Sequence, residues 1–78
     1  MSVLVLLGPA RDVAGLSRVE IPGDTVGEVL DRATDRFGEE FAQLLSRSQV
    51  WVNTEPATRQ SPVADHDEVN VLPPVSGG

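Results

Sequence analysis

The chain opens on an unbroken apolar run, Ser2 to Leu7, short enough for a strand and β-branched at Val3 and Val5. Gly8-Pro9 breaks the run, and Ala10 to Gly15 reads as a loop or a single helical turn. From Leu16 to Ile21 the pattern alternates, with Val19 and Ile21 on one face and Arg18 and Glu20 on the other. That predicts a half-exposed strand paired with the first as a hairpin. Pro22-Gly23-Asp24 ends it. Thr25 and Glu28 then form a capping-box pattern with Thr25 as N-cap. Val26, Val29, Leu30, Ala33 and Phe37 follow at helical spacing on one face, and Gly38 is placed to stop the helix. Glu40 to Leu45 predicts one or two further turns, with Phe41, Leu44 and Leu45 inward. Gln49 to Asn53 alternates again and reads as a third strand. Thr54 to Asp67 is rich in Pro, Ser, Thr and Asp, hence loop, with a short strand expected near Ala57–Arg59. Asp65-His66-Asp67 looks like a turn into the last strand, Glu68 to Leu72.

One long helix can cover only one face of such a sheet. The strongly apolar first and last strands belong side by side at its centre. The order predicts an α+β fold of the β-grasp, ubiquitin-like arrangement: a mixed sheet with one main helix packed on one face. Residues 1–72 make that domain, and 73–78 a flexible tail.

The uncovered face should then be polar, and it is not. If Val50 and Val52 point inward, Trp51 points out; if Val69 and Val71 form a core pair, Leu72 lies outside with Asn70. With Leu4 and Leu6 inward, Val5, Leu7, Trp51 and Leu72 make an apolar patch beside the tail, suited to a partner. The alternative is that the loop 54–67 folds over it.

Composition narrows the chemistry. The chain has 78 residues, a net charge of −6 and no cysteine, so no disulfide, thiolate nucleophile or zinc-thiolate site. The acidic balance argues against nucleic acid, which requires a basic stripe. Met1 to Leu7 is too short for a signal peptide, and no apolar run approaches a membrane span, so the cytoplasm is the expected location. His66, between two aspartates in a turn, is expected to be a solvated turn residue. Ser46, Ser48 and Ser61 have no nearby base. Asp65-His66-Asp67-Glu68 lacks recognised metal-ligand spacing, and the glycines form no phosphate loop. No metal site and no bound cofactor are expected, nor an enzyme acting alone. All six basic residues are arginine, so the chain holds no ε-amine that could attack an acyl group at its own end.

What remains is that end. Pro73-Pro74 closes the last strand, because proline offers no N–H to a ladder, and Val75-Ser76-Gly77-Gly78 follows. At about 3.3 Å per residue, six residues reach roughly 20 Å. Glycines without Cβ atoms can enter a channel too narrow for other residues. A nucleotide-dependent enzyme could convert the terminal carboxylate to an acyl-adenylate, and attack by a persulfide sulfur would leave a thiocarboxylate.

The run Leu72-Pro73-Pro74-Val75-Ser76-Gly77-Gly78, preceded by Asp67-Glu68-Val69, resembles the small subunit of molybdopterin synthase, the MoaD branch of the MoaD/ThiS sulfur carriers. The resemblance extends to Arg11 after an apolar first strand, the Thr25-Val26 helix start and the strand end at Val52-Asn53. It implies adenylation at Gly78 by an E1-like enzyme of the MoeB/ThiF type, which uses ATP. It further implies a persulfide sulfur donor and delivery of sulfur to a pyranopterin inside a MoaE-type large subunit. Gly78 would be the covalent attachment point, with Pro73, Pro74, Val75, Ser76 and Gly77 threading the partner's active site. The same resemblance puts Leu72 at the subunit interface, with Arg11 near it. Two features depart from the family pattern: His66 stands where a turn glycine is usual, and Asn53-Thr54-Glu55-Pro56 replaces an Asn-Gly or Asn-Gln turn. Related carriers feed thiamine, cysteine or specialised-metabolite pathways. A ubiquitin-like protein modifier and a plain binding module are the further alternatives.

Overall fold

A computed structural model describes residues 1–74 of the chain. The described residues form β1 (Ser2–Leu6), α1 (Pro9–Ala14), β2 (Arg18–Ile21), α2 (Val26–Phe37), α3 (Glu39–Leu45), β3 (Gln49–Val52), β4 (Glu55–Pro56) and β5 (Glu68–Leu72). The strands make one sheet in the order β2-β1-β5-β3-β4. β1 and β5 run parallel at its centre, with Leu4 opposite Val69 and Leu6 opposite Val71. β2 pairs antiparallel with β1, and β3 antiparallel with β5 and β4. This is the expected β-grasp arrangement.

Pleat alternation explains which side is covered. Ser2, Leu4 and Leu6 of β1 and Val69 and Val71 of β5 face one way and are buried. The helices pack on that side, where Ala10 of α1, Val26, Val29, Leu30 and Ala33 of α2, and Phe41 and Leu44 of α3 join the same core. The buried Ser2 hydroxyl is satisfied by donating to the Ile21 carbonyl at 3.2 Å. α2 starts as its capping box predicts: the Glu28 amide donates to Thr25 Oγ1 at 3.2 Å. Glu28 Oε1 in turn accepts from the Asp24 amide at 3.0 Å, one residue before the cap.

Three expectations need correction. Pro9–Ala14 is a six-residue helix, not a loop or single turn. Pro9 sits in its first turn, where a missing N–H costs nothing, so Gly8-Pro9 starts a helix as well as ending a strand. β2 begins at Arg18 rather than Leu16, although Leu6 still donates to the Ser17 carbonyl at 2.9 Å. The short strand lies at Glu55–Pro56, not Ala57–Arg59. Asn53, at φ 55, turns the chain back at once, and proline is tolerated on the resulting sheet edge.

The segment after β4 runs beside α2 and leaves the outer sheet face open. The Arg59 and Ser61 carbonyls accept from the Gly27 and Val26 amides at 2.9 and 3.0 Å, satisfying donors that a helix start leaves free. Val63 is buried in the core, and Arg59 donates to the Gly27 carbonyl and to Asp31. The loop therefore straps the helix; of the apolar outer residues, Leu7 and Leu72 stay exposed, Val5 is half-buried, and Trp51 is half-buried at the groove beside Pro56 and Ala57.

Gly23, in the connection from β2 to α2, packs closely against Val29. A Cβ there would stand 2.9 Å from Val29 Cγ2 and 3.1 Å from the Val29 amide nitrogen. Gly23→Ala is expected to cost about 1–3 kcal/mol through this overpacking. Urea denaturation followed by circular dichroism should show a lower midpoint with an unchanged slope.

Candidate functional site

Because β1 and β5 are parallel neighbours, both end at the same edge of the sheet. Leu6 is paired with Val71, and the next residues, Leu7 and Leu72, are 46% and 36% exposed. β3 begins at this edge, with Gln49 opposite Leu72. Pro73 is half-buried and Pro74 exposed, and neither belongs to the sheet. The tail is thus launched from a rim carrying two exposed leucines. Val75, Ser76, Gly77 and Gly78 lie outside the described residues.

Val5, Trp51 and Leu72 share the outer face, as their alternation predicts, but they do not form one continuous patch with Leu7. Asn70 lies between Val5 and Trp51 and is paired with each across its two strand neighbours. Its Nδ2 donates to the Asn53 carbonyl at 3.2 Å and the Glu68 carbonyl at 3.4 Å. On the other flank of β1, Arg18 meets Glu68 at 3.3 Å. Val5 therefore sits in a polar frame, Trp51 is half-buried with its Nε1 donating to Gln49 Oε1 at 3.3 Å, and Leu7 with Leu72 carries the exposed apolar surface. Alternation alone put Asn70 outside; only the strand order reveals that it divides the patch. Arg11 is exposed on α1, in the helix layer, and so does not share the outer sheet face with Val5, Trp51 and Leu72.

A groove of about 660 Å3 opens between α2, α3, β3 and the strap, with Leu30, Leu45, Val50 and Ala57 among its walls. The charged residues lining it are Asp31 and Arg59, which pair at 2.6 Å, leaving no free acid or base there. Among the described residues no group of three His, Cys, Asp or Glu side chains could hold a metal ion. None of the described helices is long and apolar enough to cross a membrane.

His66 lies at the opposite end of β5, away from the tail. Its φ of 72 is left-handed, and its amide donates to the Met1 carbonyl at 2.9 Å. Beside it, the α-ammonium of Met1 hydrogen-bonds Asp65 and holds that carboxyl below the usual range. Asp67 is also lowered, because the Ala64 amide donates to it at 2.8 Å and the Asn53 side chain at 3.2 Å. Asn53 Oδ1 then accepts from the Glu68 amide at 3.0 Å, tying the turn to β3. These groups build a turn and present no catalytic geometry.

The fold and its exposed C-terminal launch point define a ubiquitin-like carrier or modifier. Residues 4–78 match the ThiS family model, and the chain belongs to that family of ubiquitin-like sulfur carriers and modifiers. It is similar in structure to small archaeal modifier protein 1 (SAMP1) of Haloferax volcanii, with a TM-score of 0.82 and 30% identity, covering 99% of this chain and 98% of that one. A chain of the BexX/CysO complex from Amycolatopsis orientalis matches with a TM-score of 0.84 and 27% identity over 100% of both chains. A chain in the complex of subunits 1 and 2 of molybdopterin-converting factor from Helicobacter pylori shares the fold. There the TM-score is 0.69 and the identity 23%, over 99% of this chain and 97% of that one.

Two outcomes follow from the turn. Asp67 is depressed in the folded state, so its contribution is present above the unfolded carboxyl value near pH 4 and lost as pH falls through the folded one. Asp67→Asn should lower stability at pH 7, and its deficit against the parent should shrink below about pH 4; chemical denaturation at pH 7, 5 and 3 measures this. His66→Gly removes a side chain from a left-handed position. It should stabilise by up to about 1 kcal/mol after the entropic cost of glycine, raising the melting temperature by a few degrees.

Proposed function

We propose that the chain is a sulfur carrier activated at Gly78, supplying molybdopterin synthesis as the small subunit of a two-subunit sulfurtransferase. The carrying observation is the launch geometry: the central strand β5 delivers the C-terminus at a rim where Leu7 and Leu72 stand exposed. A carboxylate is a poor electrophile, so an E1-like enzyme of the MoeB/ThiF type would first transfer AMP from ATP to the Gly78 carboxylate, releasing pyrophosphate. A persulfide donor then attacks the acyl carbon through its outer sulfur and AMP leaves; a second thiol of the donor or activating enzyme attacks the inner sulfur of the acyl disulfide, forming a disulfide with it and releasing the thiocarboxylate. Pro73 and Pro74 keep the tail from re-pairing with the sheet, and Val75, Ser76 and Gly77 thread the acceptor subunit's site. Leu7 and Leu72 would dock on that subunit, with Arg11, Val5 and Trp51 at the margins. Resemblance of the run Leu72–Gly78 to the molybdopterin synthase small subunit supports this acceptor.

A second reading keeps the carrier and changes the acceptor. The 27% identity over the full chain to a structure of BexX with CysO favours a synthase of another sulfur pathway. The similarity to SAMP1 keeps protein modification in view.

Incubation with ATP, an activating enzyme and a sulfide source is expected to raise the intact mass by about 16 Da, sulfur for oxygen, and deletion of Gly78 should abolish the shift while leaving the circular dichroism unchanged. An unshifted mass with an enzyme that activates a control carrier would overturn the carrier reading. Mixing the thiocarboxylate form with a MoaE-type subunit or a BexX-type partner, and following loss of the added mass, separates the two acceptors.

A further inference from the structure

The two edges of the sheet are built differently. The β4 edge is two residues long and ends at Pro56, which has no N–H to offer a further strand. The β2 edge is four residues, Arg18–Ile21, with no proline. The register shows which of its backbone groups are used. Leu6 donates to the Ser17 carbonyl at 2.9 Å, and Val3 donates away from β2, to the Asp67 carbonyl at 2.8 Å. Bonded residues alternate in an antiparallel ladder, so Val19 and Ile21, opposite Leu4 and Ser2, turn their N–H and C=O toward β1. Arg18 and Glu20 turn theirs outward, and no strand among the described residues pairs with them there. Their side chains are exposed on the face opposite the helices, since Val19 and Ile21 join the core. Glu20 makes no ion pair among the described residues. Arg18 meets Glu68 through Nη2 alone, at 3.3 Å, which leaves the rest of its fork open to a second carboxylate.

This edge is complementary to itself in one register. With a second copy set antiparallel and Val19 opposite Val19, Arg18 of each strand faces Glu20 of the other. The outward-turned residues then form bonded pairs, N–H to C=O in both directions, with opposite charges side by side on one face. Sliding the register so that Arg18 meets Arg18 opposes like charges. Sliding it so that Glu20 meets Glu20 does the same, and also sets Arg18 against Pro22, which cannot donate. Registers between these oppose an outward-turned residue to an inward-turned one and lose the ladder.

We propose that β2 is a homotypic docking edge, through which two copies of this chain join in that register into one continuous sheet. The two-fold axis passes between the paired Val19 residues, perpendicular to the sheet. The helices of both copies therefore lie on one face, and the rims carrying Leu7 and Leu72 point in opposite directions. The contact is short, and it belongs with weak associations that bury less than about 1,200 Å2. The net charge of −6 on each copy opposes it at long range, so it forms where the chain is concentrated. It does not depend on activation of Gly78.

Sedimentation equilibrium of the full chain, from about 20 µM to about 1 mM, should show the mean mass rising from 8.3 kDa toward twice that. Over the same range, amide NMR spectra should show concentration-dependent shifts at Arg18–Ile21 and slower exchange at the Arg18 and Glu20 amides. Glu20→Arg, which leaves the Arg18–Glu68 pair in place, and Arg18→Glu should each weaken self-association about tenfold or more, because like charges then face each other. Mixing these two variants should restore association, since each edge now complements the other, and so should the double exchange Arg18→Glu/Glu20→Arg. Circular dichroism checks that all are folded. A mass that stays at 8.3 kDa with unmoved β2 amides at the highest concentration would overturn the proposal. So would single reversals that associate as the parent does. Shifts mapping to Leu7, Leu72 and Trp51 instead would place the second copy on the outer face and overturn it as well.

Discussion

The parallel pairing of β1 with β5 is the constraint on which the rest of the molecule depends. It joins the two ends of the chain at the centre of the sheet and buries Leu4, Leu6, Val69 and Val71 completely. Removing any one of these side chains down to alanine would open a cavity in a core with little to spare, since a domain of this size buries a modest share of its surface. The same pairing decides where function can reside. Parallel strands end at one edge, so the C-terminus must leave beside Leu7 and the start of α1. An antiparallel pairing would have put the tail beside the start of β1 and moved the Asp65–Asp67 turn to the edge where β1 ends.

Stability and presentation are thereby assigned to opposite ends of one strand. At the start of β5, Asp67, Asn53 and the Ala64 amide form a hydrogen-bonded turn that fixes its entry, while His66 takes the backbone strain. At its end the ladder stops at Leu72, and two prolines prevent its extension. A strand anchored at one end and free at the other can carry a tail into a partner without loosening the core. The strap from Ala57 to Val63 contributes from a third direction by closing the first turn of α2.

Much of this was legible in the residues, and the gaps have physical causes. The helix α2 was marked by Thr25 and Glu28 and by an apolar stripe, signals that involve only near neighbours. The inward set of β5 followed from Val69 and Val71, and the bend at His66 from its flanking aspartates. The start and full length of α1, expected only as a loop or a single helical turn, were hidden because Gly8-Pro9 carries two meanings, strand end and helix start, and local pattern does not choose between them. β4 was misplaced by two residues because the turn at Asn53 depends on a left-handed φ that asparagine tolerates but does not advertise. In the candidate site the tail was plain, since a Pro-Pro exit and a Gly-Gly end are sequence features. The division of the outer patch by Asn70 was not, because it arises from register between strands far apart in the chain.

That division bears on how such a fold distinguishes its partners. A β-grasp domain with a Gly-Gly tail suits several acceptors, and the architecture alone does not select among them. Selection must come from the surface the tail crosses first. Here that surface is small and uneven: two exposed leucines at the rim, a valine framed by Arg18 and Asn70, and a tryptophan held by Gln49. A partner that fits it must bury Leu7 and Leu72 while satisfying the polar groups beside them, because an unpaired buried amide or charge costs more than an exposed one. Such mixed surfaces discriminate through the penalty for mismatched polar groups more than through apolar area, which nearly any hydrophobic groove would accept. Asn70, whose amide is already engaged with the Asn53 and Glu68 carbonyls, is a polar group that any partner covering this face has to accommodate.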